Sequence, residues 1–318
     1  MSPPIDWLSR LLDMVPVSGH LEIHCFYGAP WRIGYEPSPP GELPYHVIVA
    51  GNATLEVPGE PTRQLQAGDI LILPHGSPHA LHDGSDVMPG PATKRPGLNL
   101  TITENNGGGE KLDMLCGRFI VERPHDKLLR EYLPPLLVVR AAADDSASTT
   151  ATQLAGLVTL MRTEADHESI GGHAMLNALS AAMFALALRL AGESGDAPSG
   201  LLSLAGNPRL APALSALFHE PARPWTLPDL AELCNMSRAT FARHFQDSMG
   251  RSASDLLTDI RMTLAANALK APGSSVYAVS EAVGYQSETA FQRIFKQRMG
   301  MTPARWRRGG HASIPEAD

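Results

Sequence analysis

The sequence predicts an α+β protein with a β-barrel at the N-terminus, helices after it, and an all-α domain at the C-terminus. Three patterns indicate this order. Short β-like runs broken by glycine and proline fill residues 25–119, apolar residues recur at helical spacing within residues 150–191, and a helical unit is repeated near the C-terminus. We therefore expect a barrel domain at 1–123, a helical region at 124–192, a linker at 193–206 and a second domain at 207–310.

The charge of the chain differs between its two parts. The whole chain has a net charge of −7, but residues 1–206 carry 23 acidic and 13 basic side chains, whereas residues 207–318 carry 10 acidic and 13 basic ones. A net positive charge is therefore confined to the C-terminal part. This favours a polyanion as the partner of that part.

The three cysteines, Cys25, Cys116 and Cys234, are far apart and form no CxxC pair. Such thiols are typical of a reducing compartment, so we expect a cytoplasmic protein. A secretory signal has a basic stretch before an apolar run, and the N-terminus shows no such pattern. The most apolar segment, residues 174–191, contains an asparagine and an arginine, and it predicts a buried or dimer-forming helix rather than a membrane span.

Five short runs predict the barrel: HVIVAG, ATLEVPG, GDILILP, LNLTIT and MLCGRFIVE. Many short strands at near-regular spacing are typical of a sandwich or barrel. Residues 84–109, rich in glycine and proline, predict a flexible loop within it. The stretch GDILILPHGSPH, residues 68–79, resembles the second conserved motif of cupin barrels. This resemblance implies that His79 points into the barrel.

The first cupin motif is only partly present. Where enzymatic cupins bring two histidines and a glutamate, this sequence supplies His46 alone. We expect His46, His79 and His82 to line an effector pocket. There they either hydrogen-bond around a ligand or hold a divalent metal, which needs three or four convergent ligands. The incomplete motif disfavours an enzyme, so we expect no catalysis.

Two helices are predicted after the barrel, at residues 150–165 and 172–191. The second carries a stripe of apolar side chains on one face: Met175, Leu176, Leu179, Met183, Leu186 and Leu190. Most such stripes belong to a core. Because the helix pair lies between the two domains, we expect it to hold a homodimer contact as well.

A duplicated unit defines the C-terminal domain. Residues 237–250 (SRATFARHFQDSMG) and 287–300 (SETAFQRIFKQRMG) share six of fourteen residues at a fixed offset of 50. In each copy a serine is placed to cap a helix, two phenylalanines at i and i+4 form its buried stripe, and a glycine ends it. A short apolar helix precedes each copy, which makes each copy the second half of a helix-turn-helix. Residues 255–270 predict one helix that connects the two units.

The outward faces of these two second helices are polar and basic. The first offers Arg238, Ala239, Ala242, Arg243 and Gln246, and the second offers Glu288, Thr289, Gln292, Arg293 and Lys296. Arginine matches guanine, and glutamine matches adenine, in the major groove of DNA, whereas other basic residues suit phosphates. The alternative is a helical bundle with solvated arginines. Equivalent arginines in a repeated helix-turn-helix favour double-stranded DNA as the partner.

Residues 208–308 resemble the DNA-binding domain of the AraC/XylS family of bacterial regulators. The resemblance rests on the stretch from Lys270 through GYQSETAFQRIFKQRMGMTPARWR. It implies two helix-turn-helix units joined by a linker helix, with recognition helices that enter successive major grooves. It also implies transcriptional control through RNA polymerase, and we expect an activator.

The whole chain resembles a subgroup of that family, regulators with a cupin domain that respond to reactive chlorine species. The features that carry this resemblance are an initial LSRLL and the residues Cys25, Gly28, Trp31, His46, Gly51, His79, His82 and the pair Cys116-Gly117. It implies that oxidation of Cys25 and Cys116 switches the regulator on.

Two further interpretations of the thiols come from the residues alone. The first and last strands of a barrel can bring Cys25 and Cys116 close together, and the flanking histidines His20 and His24 can lower the pKa of Cys25 when they are protonated. Alternatively, both cysteines are small buried apolar residues beside a pocket that binds an organic effector or a metal.

Overall fold

The chain alternates between two structural units in a computed structural model that describes residues 6–122, 125–141, 148–167, 169–194 and 200–309. The barrel unit consists of residues 17–121 and 134–191, and the helical unit consists of residues 1–16, 122–133 and 192–318. The helical unit therefore includes two segments that precede the predicted second domain. Neither segment carries a sequence signal for the unit that it joins.

The strands of the barrel unit are β1 (Val17–Gly28), β2 (Arg32–Tyr35), β3 (Glu42–Ala50), β4 (Asn52–Glu56), β5 (Arg63–Gln66), β6 (Asp69–Ile72), β7 (His79–His82), β8 (Ala92–Pro96), β9 (Thr101–Asn105), β10 (Lys111–Val121) and β11 (Leu137–Arg140). One sheet has the order β11-β6-β3-β10-β1-β9-β8, and the other has the order β2-β7-β4-β5. Apolar side chains from both sheets form one core, which includes Cys25 and Cys116. The predicted N-terminal β domain is confirmed.

The helices are α1 (Trp7–Met14), α2 (Asp126–Tyr132), α3 (Thr149–Asp166), α4 (Gly172–Glu193), α5 (Leu201–Gly206), α6 (Ala211–His219), α7 (Leu227–Leu233), α8 (Arg238–Met249), α9 (Ala253–Lys270), α10 (Val276–Ala282), α11 (Glu288–Met299) and α12 (Pro303–Arg307). The two helices predicted after the barrel, α3 and α4, are confirmed to within two residues at each end. Helix α5 lies inside the predicted linker, of which residues 195–199 lie outside the described residues.

The prediction of one flexible loop at residues 84–109 is wrong, because the segment contains strands β8 and β9. Strand β9 pairs in parallel with β1, and β8 pairs antiparallel with β9. All five side chains of β8 are exposed. A strand without a buried face lacks the alternation of apolar and polar residues, so its sequence resembles a polar loop.

Helix α4 packs its inner face against the seven-stranded sheet. The hydroxyl groups of Ser180 and Tyr45 are 2.7 Å apart, and the ring centroids of Phe184 and Phe119 are 4.7 Å apart. Strand β1 has Gly19 where it passes this helix, and an added Cβ there would lie 2.5 Å from the Cβ of Ser180. Among the described residues, α4 is the one helix long and apolar enough to span a membrane, a composition that a helix packed in a core also shows.

The duplicated unit folds as two helix-turn-helix pairs, α7–α8 and α10–α11. Ser237 and Ser287 cap the second helix of each pair by accepting a backbone N–H three residues further on, and Gly250 and Gly300 end these helices at φ angles of 78° and 77°. These predicted caps and stops are confirmed. The first helices of the two pairs are 49 residues apart and the second helices 50, so the second turn is one residue longer.

Helix α9 connects the two pairs, as predicted, and starts two residues before the predicted position. It packs against a core in which Phe291, Phe295 and Trp306 are fully buried. The indole N–H of Trp306 donates to the backbone carbonyl of Ala266 on α9 over 2.9 Å. This hydrogen bond satisfies the polar edge of a large buried ring and fixes α12 against α9.

Replacing Gly300 with alanine tests the role of the glycine stop. Gly300 has a φ of 77°, in the left-handed region, whereas the exposed Gly108 has no such conformation and open space around its Cα. We expect Gly300→Ala to lower the free energy of unfolding by about 1 kcal/mol, because a side chain is strained in this region. Gly108→Ala should change it by less than about 0.5 kcal/mol. Urea unfolding followed by far-ultraviolet circular dichroism measures both, and equal effects would contradict the assignment.

Candidate DNA interface and thiol–histidine cluster

The predicted DNA-reading residues lie on the outer faces of α8 and α11. Nine of the ten are exposed and Glu288 is half-buried, while the phenylalanines on the opposite faces are buried. Within the described part of the chain, four cationic side chains on these faces form no ion pair: Arg238, Arg243, Arg293 and Lys296. These four cations therefore remain available to an anionic partner.

A fifth cation, Arg298 near the end of α11, is committed to the protein itself. Its guanidinium group lies 2.9 Å from a carboxylate oxygen of Asp255 and 3.3 Å from one of Asp259, both on helix α9. Asp259 also accepts a hydrogen bond from the hydroxyl of Tyr132 on α2. Arg298 therefore joins helices within the helical unit.

The two candidate glutamines have different contacts. The amide of Gln246 donates to the carbonyl of Gly250 at the end of α8 over 2.8 Å, whereas Gln292 donates to Glu288 on its own outer face over 2.7 Å. Gln246 is thus turned toward the end of its helix. Helix α11 offers the more polar outer face, because α8 has Ala239 and Ala242 exposed there.

Strand pairing brings Cys25 and Cys116 together inside the barrel. Strands β1 and β10 are antiparallel neighbours in which Cys116 is opposite Ile23 and Cys25 is opposite Met114. The two cysteines therefore occupy diagonal positions on one face of the sheet. Their sulfur atoms are 3.8 Å apart, and their residues are 2% and 4% exposed. Both thiols are free. A small movement would bring the two sulfur atoms to the S–S bond length of a disulfide, about 2 Å.

His46 and His79 extend this thiol pair into a hydrogen-bonded cluster. The Nδ1 atom of His46 lies 3.1 Å from the sulfur of Cys116, and its Nε2 atom lies 2.8 Å from the Nε2 atom of His79. The Nδ1 atom of His79 lies 3.0 Å from the carbonyl oxygen of Ser77. We call Cys25, Cys116, His46 and His79 the thiol–histidine cluster.

The Ser77 carbonyl determines where the protons of this cluster lie. A carbonyl oxygen only accepts, so His79 must carry its proton on Nδ1. Burial lowers the pKa of both imidazoles, and in His46 by a large amount, so each is neutral at pH 7. The Nε2 atom of a neutral His79 then accepts from the Nε2–H of His46. This leaves Nδ1 of His46 without a proton, facing the thiol of Cys116.

The two thiols differ in acidity. The hydrogen bond with Cys116 lowers the pKa of Cys25, against the effect of burial. Burial raises the pKa of Cys116 well above its ordinary value, and the adjacent Cys25 raises it further. Cys25 is therefore the thiol that ionises first. A thiolate is the reactive form of cysteine, so Cys25 is the better candidate for attack on an oxidant.

The structure does not place His82 with His46 and His79. Residues 79 and 82 are an odd number of positions apart on strand β7, so their side chains leave opposite faces. The Nε2 atom of His82 lies 3.3 Å from a carboxylate oxygen of Glu56 instead. Among the described residues, no three histidine, cysteine, aspartate or glutamate side chains are arranged to hold a metal ion. The three predicted metal ligands are therefore not assembled into one site.

The histidines that flank Cys25 in sequence do not contact its thiol. His24 directs its Nε2 atom to Asp113 over 2.7 Å, and His20 hydrogen-bonds Ser18. Adjacent residues of a strand point to opposite faces, which explains the position of His24. The histidine that contacts the thiol pair, His46, is remote in sequence and adjacent through the pairing of β3 with β10.

Sequence patterns also miss Tyr35. Its hydroxyl oxygen lies 3.8 Å from the Cys116 sulfur, and its ring stacks on that of His79 with centroids 4.6 Å apart. Burial raises the pKa of Tyr35 well above its ordinary value, so the hydroxyl keeps its proton. No motif contains this residue, and only the pairing of β2 with β7 places it there.

Comparison with known proteins places this chain in a family. Residues 6–191 match a family model described as Cupin, and residues 230–309 match one described as Helix-turn-helix domain. The chain is 31% identical to an uncharacterized HTH-type transcriptional regulator of Haemophilus influenzae, over 96% of this chain and 99% of the relative. It is 28% identical to a putative AraC-like transcription regulator of Streptomyces lividans, over 98% of this chain and 100% of the relative.

The chain belongs to the AraC family of transcriptional regulators. The expected family, with a cupin domain followed by the DNA-binding helix-turn-helix pairs, is confirmed. Within this family, the chain is 26% identical to the RCS-specific HTH-type transcriptional activator RclR of Escherichia coli, over 95% of this chain and 97% of RclR.

The buried neutral histidines of this AraC-family protein predict a pH dependence of stability. The pKa of His46 lies well below the ordinary 6.5 in the folded chain, so below that pH the unfolded chain binds more protons. The free energy of unfolding should therefore fall by about 1.4 kcal/mol per pH unit from this histidine as the pH drops below 6.5. In His46→Gln this part of the slope should be missing. Urea unfolding at several pH values measures it, and identical slopes in both proteins would contradict a buried neutral His46.

Proposed function

We propose that this AraC-family regulator is an activator that responds to hypochlorous acid and similar oxidants through Cys25 and Cys116. The distance of 3.8 Å between two buried sulfur atoms, with an imidazole nitrogen 3.1 Å from one of them, is the observation that carries this proposal. Two cysteines that serve only as small buried apolar residues need neither lie on one face of a strand pair nor contact a histidine. The similarity to RclR, which is named for reactive chlorine species, agrees with this function.

The chemistry proceeds in two balanced steps. The thiolate of Cys25 reacts with hypochlorous acid to give, overall, a sulfenic acid and chloride, so that sulfur is oxidised by two electrons and chlorine is reduced. The sulfur of Cys116 then attacks the Cys25 sulfur. The S–O bond breaks, a disulfide forms, and the hydroxyl group leaves as water with one proton.

A second candidate function rests on a cavity of about 340 Å³ on the outer side of strand β1. Its lining includes Phe26, Ile102 and Leu100 as apolar walls and His24 and Arg95 as polar groups. This volume is at the lower end of the range for small-molecule sites. An organic effector bound there would make the cysteines bystanders. The cavity does not include His46, His79 or His82 among its lining residues.

The remaining partners follow from the same proposal. Binding to double-stranded DNA leads to activation only through RNA polymerase, which we propose as a protein partner. A cytoplasmic location fits free thiols that await an oxidant. We also propose a homodimer formed through α3 and α4, because Leu160 on α3 and Met175 on α4 are 43% and 40% exposed.

Serine substitutions of the three cysteines test the proposed switch. Cys25→Ser and Cys116→Ser should abolish activation of a reporter promoter by hypochlorous acid, because neither protein can form the disulfide. Cys234→Ser is the matched control, since this buried cysteine lies in the helical unit at the end of α7. It should keep the full response. A response that survives in both Cys25→Ser and Cys116→Ser would favour the effector cavity instead.

Alanine substitution of Arg293 tests the DNA interface. The exposed guanidinium of Arg293 has no partner in the described chain, so we expect Arg293→Ala to weaken operator binding by about 1–3 kcal/mol and relax preference at one base pair. Arg63→Ala, an exposed arginine on strand β5, is the control and should bind like the parent. Binding titrations on a set of single-base operator variants measure both. Equal weakening on every variant would show that Arg293 contacts only a phosphate.

A further inference from the structure

The cluster contains more than the proposed disulfide chemistry needs. Two thiols suffice for a disulfide, yet a chain of three hydrogen bonds leads from Cys116 to the backbone at Ser77 through His46 and His79. Both imidazoles are buried, at 2% and 5% exposure. Buried polar side chains are costly unless they are paired, so this chain of contacts calls for a function.

We propose that His46 and His79 form a proton relay that removes the proton of Cys116 when its sulfur attacks oxidised Cys25. This inference rests on the proposed oxidant switch and assigns positioning and proton-accepting roles that the switch by itself does not require. The relay is needed because burial raises the pKa of the Cys116 thiol, which therefore keeps its proton. A thiol that keeps its proton is a poor nucleophile, and bulk water does not reach it.

The direction of the relay follows from the tautomers. While Cys25 is a thiolate, the Cys116 S–H donates to it; once Cys25 is a sulfenic acid, that S–H donates to the unprotonated Nδ1 of His46, whose Nε2–H points to His79. As the Cys116 sulfur bonds to Cys25, its proton moves to Nδ1 of His46, and the Nε2 proton of His46 moves to Nε2 of His79. His46 is then neutral again. The positive charge rests on His79.

His79 is the better holder of that charge. Its Nδ1–H donates to the Ser77 carbonyl, which raises the pKa of His79 against the effect of burial, whereas burial and the neighbouring His79 both lower the pKa of His46. With both ring nitrogens protonated, His79 donates to His46 on one side and to Ser77 on the other. The hydroxide that leaves Cys25 takes up one proton, and His79 later gives one up, so no net proton is gained or lost. The overall step stays sulfenic acid plus thiol to disulfide plus water.

Rapid-mixing oxidation of the full-length protein tests the relay. In a Cys234→Ser background the two cluster thiols are the only ones, so acid quenching and mass spectrometry with a sulfenic-acid trap separate the first step from the second. With one equivalent of hypochlorous acid at pH 7, His46→Gln should lose its first thiol at the parent's rate. Disulfide formation should then be about 10-fold to 100-fold slower, with trapped Cys25 sulfenic acid accumulating.

The pH profile separates proton transfer from packing. In His46→Gln the rate of disulfide formation should rise about tenfold per pH unit, because Cys116 then has to ionise unaided, whereas the parent should show a shallow profile. His79→Gln, which accepts a hydrogen bond but holds no proton, should slow the same step. His82→Gln removes a buried histidine outside the cluster and should match the parent.

Three outcomes would overturn the inference, and they are distinguishable. Parent-like rates in both His46→Gln and His79→Gln would contradict the relay and leave the switch intact. Slower rates with the parent's shallow pH profile would show that the histidines only pack. A parent protein that forms no disulfide between Cys25 and Cys116 would contradict the switch itself and the relay with it.

Discussion

The antiparallel pairing of β1 with β10 is the interaction that assembles the thiol pair. Its register places Cys25 and Cys116 on one face of the sheet with their sulfur atoms 3.8 Å apart. The pairing of β10 with β3 then places His46 opposite Cys116. A shift by one residue in either register would turn a member of the cluster to the other face, because side chains alternate along a strand. The chemistry of the site is thus a property of strand register.

The same strand connects the cluster to the rest of the chain. Strand β10 ends at Val121, and the chain continues into α2, which belongs to the helical unit. Within that unit, Tyr132 of α2 and Arg298 of α11 both contact Asp259 of the linker helix α9. Helix α11 is the second recognition helix. The chain thus continues from the strand that holds Cys116 into α2, and noncovalent contacts within the helical unit then join α2 and α11 to α9.

Much of the fold follows from the sequence because it rests on local patterns. Serine caps, glycine stops and an i, i+4 phenylalanine stripe specify α8 and α11 without knowledge of any distant contact. The cluster is different, since it depends on partners far apart in the chain. His46 was expected in a pocket, but its contact with Cys116 and the position of Tyr35 come from strand pairing. Grouping His82 with His79 fails for a local reason, because residues three positions apart on one strand point to opposite faces.

Peptide mapping of the oxidised full-length protein shows whether Cys25 and Cys116 form the proposed disulfide. After one equivalent of hypochlorous acid, digestion without reduction should give a single cross-linked peptide pair that joins Cys25 to Cys116, with Cys234 still free. The proximity of the two sulfur atoms and the lowered pKa of Cys25 predict this result. Oxidation that stops at sulfenic or higher acids on separate cysteines, or a disulfide that involves Cys234, would contradict the account.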